Sequence, residues 1–194
     1  MSGDPIDQLN QGLQYFRECL ERDDLAALRT EIAVLAYSFQ PTLIHDFSTV
    51  YSFDPPELKV IGGTVISSAV EKALDMVEER KESYRANGIT YYRPWIWFMT
   101  DGYPQHDTKP DLDRALARLA RSDQAGQVKF FPVGVGGADM AWLNGMLPGT
   151  SAVHLQGLKF NEMFEWLSSS MSSVSQSQPS DRVQLAAPTN WGEV

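Results

Sequence analysis

The sequence predicts a doubly wound α/β domain with a mostly parallel sheet and an antiparallel edge strand. Apolar stripes at helical spacing alternate along the chain with short apolar runs, and no segment repeats another. Two of the runs, RPWIWFMTDG (93–102) and VKFFPVGVGG (128–137), are apolar at most positions, as parallel strands are when helices cover both faces. With 194 residues, 43% hydrophobic and 21% charged, the chain can bury one good core, and one domain is the simplest count.

The first element is a helix over 5–21, entered through Asp4-Pro5, with Ile6, Leu9, Leu13, Phe16 and Leu20 on one stripe. The Ser-Gly-Asp-Pro turn before it is of the kind that leads out of a strand, so a strand is expected upstream of Met1. EIAVLAYSF (31–39) is a strand with apolar residues on both faces. TLIHDFSTV (42–50) follows after Gln-Pro, and its β formers and short connection predict an antiparallel edge hairpin with the strand before it. From Thr64 a long helix runs with Ile66, Ala69, Val70, Ala73, Leu74 and Val77 inward, and Gly88 stands where a terminating glycine belongs. The apolar run at 93–102 then delivers Thr100-Asp101-Gly102 at the carboxyl end of a buried strand. A helix over 110–122, the strand at 128–137, a short helix in ADMAWLNGM, a short strand in AVHLQG (152–157) and a helix through Phe160, Met163, Phe164, Leu167 and Met171 complete the alternation. We place the domain end at 174 and read 175–194 as a Ser/Gln-rich linker and tail, in which RVQLAAPTNW either returns as an edge strand or stays loose.

Composition narrows the function. A formal net charge of −9 with no basic run argues against nucleic acid and anionic lipid as partners. No apolar run has the length of a membrane span, which takes roughly 18 residues or more. The single cysteine, Cys19, excludes an internal disulfide framework and a Cys-rich zinc site, leaving packing as its role. GVGGAD (134–139) lacks the spacing of a dinucleotide loop, and the chain has neither a phosphate-loop signature nor a nucleophile elbow. His45, His106 and His154 fall on separate elements without metal spacing.

Two residues stand above that background. Thr64 follows a Gly-Gly turn at a helix start, where the ordinary role is an N-cap, and Asp101 ends a buried strand, where the ordinary role is a turn before glycine. Together SGDPIDQLNQGL, the stretch GGTVISSAVEKALDMVEERKESYRANGITYYRPW and FMTDGYP resemble the von Willebrand factor A (vWA) family, in its bacterial TerY/YegL-like branch, over nearly the whole chain. The resemblance implies a doubly wound, Rossmann-like vWA fold of strand order 3-2-1-4-5-6, whose central first strand is missing from 1–174. It implies a metal-ion-dependent adhesion site (MIDAS) in which Thr64 and Asp101 take the last two ligand positions, the Asp-x-Ser-x-Ser part being absent. Gly63, Gly102, Tyr103, His106 and Asp107 would form the partner-binding rim. The implied cofactor is Mg²⁺, or Mn²⁺ or Ca²⁺, if the site is completed, and the partner is a protein offering an acidic side chain. The implied setting is a cytoplasmic stress system of bacteria, of the tellurium-resistance kind. The expected function is a non-enzymatic, metal-assisted protein-interaction module with an impaired metal site. The alternative is a divalent-metal-dependent hydrolase using the rim of Asp101 and His106.

Overall fold

The computed structural model describes residues 3–179, 181–188 and 190–193. In chain order the elements are α1 (Asp4–Glu21), α2 (Asp24–Arg29), β1 (Glu31–Tyr37), β2 (Pro41–Thr49), a 3₁₀ turn (Val50–Ser52), α3 (Ile66–Ala86), β3 (Trp95–Thr100), α4 (Lys109–Gln124), β4 (Lys129–Val135), α5 (Met140–Gly145), β5 (Val153–Leu155), α6 (Phe160–Ser175) and β6 (Gly192–Glu193). The protein is mixed α/β. One sheet is four-stranded, in the order β3-β4-β5-β6, parallel except where β6 meets β5; the other is the antiparallel pair β1-β2. No helix among the described residues is long and apolar enough to cross a membrane.

The two sheets lie side by side. At their starts, Arg29 just before β1 donates to the Tyr92 hydroxyl before β3 at 3.0 Å; at their ends, the Tyr37 hydroxyl donates to the Met99 carbonyl at 3.0 Å. Start meets start and end meets end, so β1 and β3 run in the same direction. No backbone ladder joins them. Alternation along each strand sends side chains to two cores. Ile32 and Val34 of β1 join Trp95, Trp97 and Met99 of β3 against α1 and α6, whereas Tyr37 joins Ile96 and Phe98 against α3 and α4. This is a three-layer arrangement, with α1, α2 and α6 on one face and α3, α4 and α5 on the other.

Several boundaries differ from the sequence-based expectation for physical reasons. α3 begins at Ile66 instead of Thr64, because the Thr64 backbone is occupied elsewhere and the cap comes from Asp107. β1 stops at Tyr37, since the Ser38 carbonyl turns to accept from Val65 N–H at 2.8 Å. α2 was not expected at all: it is a single short helix, capped by Asp23, whose carboxylate accepts from Leu25 and Ala26 N–H, both at 3.1 Å.

The segment after α6 returns to the body of the protein. Trp166 Nε1 donates to the Ala186 carbonyl, Lys159 Nζ donates to the Asn190 carbonyl, and Trp191 is 1% exposed. Gly192 then pairs with Leu155 of β5. A side chain at 192 would meet Val153 Cγ1 at 2.1 Å, so only glycine lets β6 approach this closely.

Candidate functional site

The carboxyl ends of β1 and β3 point to the same place, and two loops are fastened together there. One is 62–65, leading into α3; the other is 101–108, leading out of β3. Thr64 N–H donates to His106 Nδ1 at 3.3 Å, and the Thr64 carbonyl accepts from Gln105 and His106 N–H, each at 3.3 Å. The Asp107 carboxylate accepts from Ile66 and Ser67 N–H, both at 2.8 Å, which satisfies two of the unpaired amides at the start of α3 and places negative charge at the positive end of its dipole. Phe39 closes the third side. Its ring lies edge-on to His106 with centroids 4.8 Å apart, and it packs so tightly on Gly63 (φ 101°) that a Cβ there would meet the ring at 2.8 Å. That position needs glycine for both its backbone conformation and its lack of a side chain.

The sequence-predicted residues lie on these two loops, but only some of them take part in the fastening. Thr64 is half-buried and fixed through its backbone N–H and carbonyl. Asp101 and Tyr103 are exposed, and Gly102 N–H donates to the Thr100 hydroxyl at 3.2 Å. Asp107, expected on a partner-binding rim, caps α3. Its carboxylate is engaged because a helix start without a cap of its own takes one from across the clasp. Tyr37 was not singled out from the sequence. Burial holds its phenol well above the usual range; the Thr100 hydrogen bond works against that shift, and the negative charge of Asp101 adds to it. Tyr37 therefore stays a proton donor to Met99 and ties the ends of β1 and β3 together. Its only sequence signal is a tyrosine at the end of an apolar strand.

A hard divalent cation takes about six oxygen ligands. The two expected ligands are the Thr64 hydroxyl and the Asp101 carboxylate; the Asp107 carboxylate accepts from two α3 amides. Among the described residues no three His, Cys, Asp or Glu side chains converge to hold a metal ion. Those donors do not make a complete ion site. The His106 ring is also held in place, with Nδ1 facing the Thr64 N–H and Phe39 against its side.

No protein-family model matches the chain, and neither does any curated protein. Among solved structures it is similar to proximal thread matrix protein 1 from the mussel byssus, with a TM-score of 0.51 and 14% identity over 86% of this chain. The match covers 43% of that structure, so the chain spans less than half its length. At this identity the likeness concerns the fold alone.

Proposed function

We propose that this chain is a vWA-type protein-interaction module whose contact surface is the clasp at the carboxyl ends of β1 and β3. The observation that carries the reading is the placement of Thr64 and Asp101. β1 leads outward to β2, β3 leads the opposite way to β4 and β5, and what supports the reading is that Asp101 directly follows β3 while the Thr64 loop is fastened to the loop after that strand through His106. In open α/β sheets that crevice is where ligands bind. On this reading the partner is a protein presenting an acidic side chain. Metal assistance is expected to be weak, because two chain ligands leave most of an ion's shell to water.

The test is recovery of binding partners from native lysate with and without EDTA, beside a screen for phosphate-ester and peptide hydrolysis. Thr64→Ala and Asp101→Ala should each lower recovery by about fivefold or more, the effect of losing roughly 1 kcal/mol of contact. His106→Asn keeps an acceptor for the Thr64 N–H and removes the ring's proton chemistry, so recovery should persist. Hydrolysis that disappears in His106→Asn while partner recovery ignores Thr64 and Asp101 would overturn the proposal.

A further inference from the structure

Away from the clasp, α3 and α4 pack together and leave a cavity of about 220 Å³ between residues 74–81 of α3, residues 118–122 of α4 and the Gln127-Val128 segment that enters β4. Leu74, Val77 and Val128 form its apolar wall, and Lys81, Glu78 and Arg118 bring charge to it. Lys81 is the unusual member. It is 5% exposed, and lysine is almost never buried to that extent without compensation. Its Nζ lies 2.5 Å from Glu78 Oε2, and both residues line the cavity. Because that partner carboxylate is 44% exposed, the tip of Lys81 is the part that reaches the cavity, its stem being covered. An ammonium has three donors, and Glu78 occupies one of them. Glu78 is moreover divided, since its Oε1 accepts from Arg85 at 2.8 Å. Arg118 gives its two terminal nitrogens to Glu71 and Asp75, neither of which lines the cavity. The wall therefore holds two cations against one shared carboxylate.

We propose that this cavity binds a small monocarboxylate with a single-ring or branched apolar body, its carboxylate against the Lys81 ammonium and its body on Leu74, Val77 and Val128. Size sets the body, since a cavity of roughly 150 Å³ accommodates benzene and this one is somewhat larger. Charge sets the head group. A carboxylate supplies the counter-charge that the wall lacks and accepts from the remaining Lys81 donors, with the Ser122 hydroxyl and the Gln127 amide on the same wall as neutral donors. An inorganic phosphate would leave the apolar wall uncovered. The net charge of −9 opposes anions at long range, but salt screens it beyond about 10 Å, and at contact the wall decides. The inference uses no residue of the clasp and does not depend on the interaction reading.

A matched pair of probes decides it: benzoate, which has the charge, and benzamide, which has the same ring and nearly the same shape without it. Titrations are followed by the backbone amide resonances of the ¹⁵N-labelled intact chain. Benzoate should shift Gln127 and Val128 saturably and bind about tenfold more tightly than benzamide, as expected for one charge-assisted hydrogen bond. Two substitutions test Lys81 itself. Glu78→Gln, at a half-exposed side chain, removes the carboxylate that competes for the ammonium, so benzoate should bind about threefold more tightly while benzamide is unchanged. Lys81→Met keeps the apolar stem and should abolish the preference for benzoate. If Lys81→Met does not fold, the two probes on the unmodified chain and on Glu78→Gln still decide. Equal binding of both probes, a saturable shift with neither, or a benzoate affinity that Glu78→Gln leaves untouched would overturn the proposal.

Discussion

β4 and β1 are both seven-residue apolar strands, KFFPVGV and EIAVLAY, yet five residues of β4 are buried while in β1 only Ile32 is. The sequences alone would not rank them so. β4 has ladder partners on both edges, β3 and β5; β1 pairs with β2 alone, through a register broken by irregularities between Ile32 and Leu35. Burial therefore follows the neighbours of a strand more than its composition. Side chains must then do between β1 and β3 what a ladder does within each sheet. Tyr37 and Arg29 bridge the two strands, and Tyr37 stacks on Phe98 with centroids 5.4 Å apart. Behind them the Glu31 carboxylate takes Arg80 and the Tyr84 hydroxyl, which fastens β1 to α3.

The contrast is sharpest at Trp191, which closes the four-stranded side. Trp191→Ala should cost about 3–5 kcal/mol, the usual loss on emptying a core tryptophan site, read as a fall in the urea midpoint. Leu43→Ala on β2, where the leucine is 40% exposed, should stay within about 0.5 kcal/mol. Comparable losses at the two positions would erase the distinction between the sheets.

Between those limits falls the bridge itself. Tyr37→Phe keeps the ring stacked on Phe98 and deletes the donor to the Met99 carbonyl, so it should cost about 1–2 kcal/mol. It should also raise hydrogen exchange in β1 more than in β4. A neutral outcome would mean that the side-chain bridge does not hold the two strands. Asp107→Ala removes two hydrogen bonds from the start of α3 and should cost about 1 kcal/mol, with loss of protection confined to the first turn of that helix.

A further modest effect belongs to Glu31. Burial acts to raise its carboxyl, but the Arg80 guanidinium and the Tyr84 hydroxyl outweigh burial, and the group titrates below the usual glutamate range. A carboxyl whose folded value is depressed contributes stability that is fully present above its unfolded value. That contribution fades as pH falls through the lowered folded value. Glu31→Gln should therefore reduce stability by about 0.5–1 kcal/mol at pH 7, a figure discounted because the Arg80 side chain is a third exposed. The difference from the unmodified chain should close as pH drops below the glutamate range. A gap that stays constant from neutral pH into that acid range would place the stabilisation elsewhere.

What the sequence determined by itself is what depends on neighbours a few residues away. Helical stripes of three- and four-residue spacing marked α1, α3, α4 and α6, and apolar runs marked β1, β3 and β4, to within a few residues of their observed ends. The short Gln-Pro connection announced the antiparallel partnership of β1 and β2. Thr64 and Asp101 stood out in the sequence because a glycine turn and a strand end flag them locally, whereas the fastening of Thr64 to His106 left no local signal. The tertiary structure decided the rest, because the partners are far apart in sequence. Asp107 caps a helix 40 residues before it, so no local pattern distinguishes its carboxylate from an exposed one. RVQLAAPTNW left an edge strand and a loose tail equally open, and the burial of Trp191 exists only because α6 and β5 leave a space that the returning segment fills. The separate sheets follow the same logic: a strand's own residues state that it will pair, and only the assembled layers state on which edges.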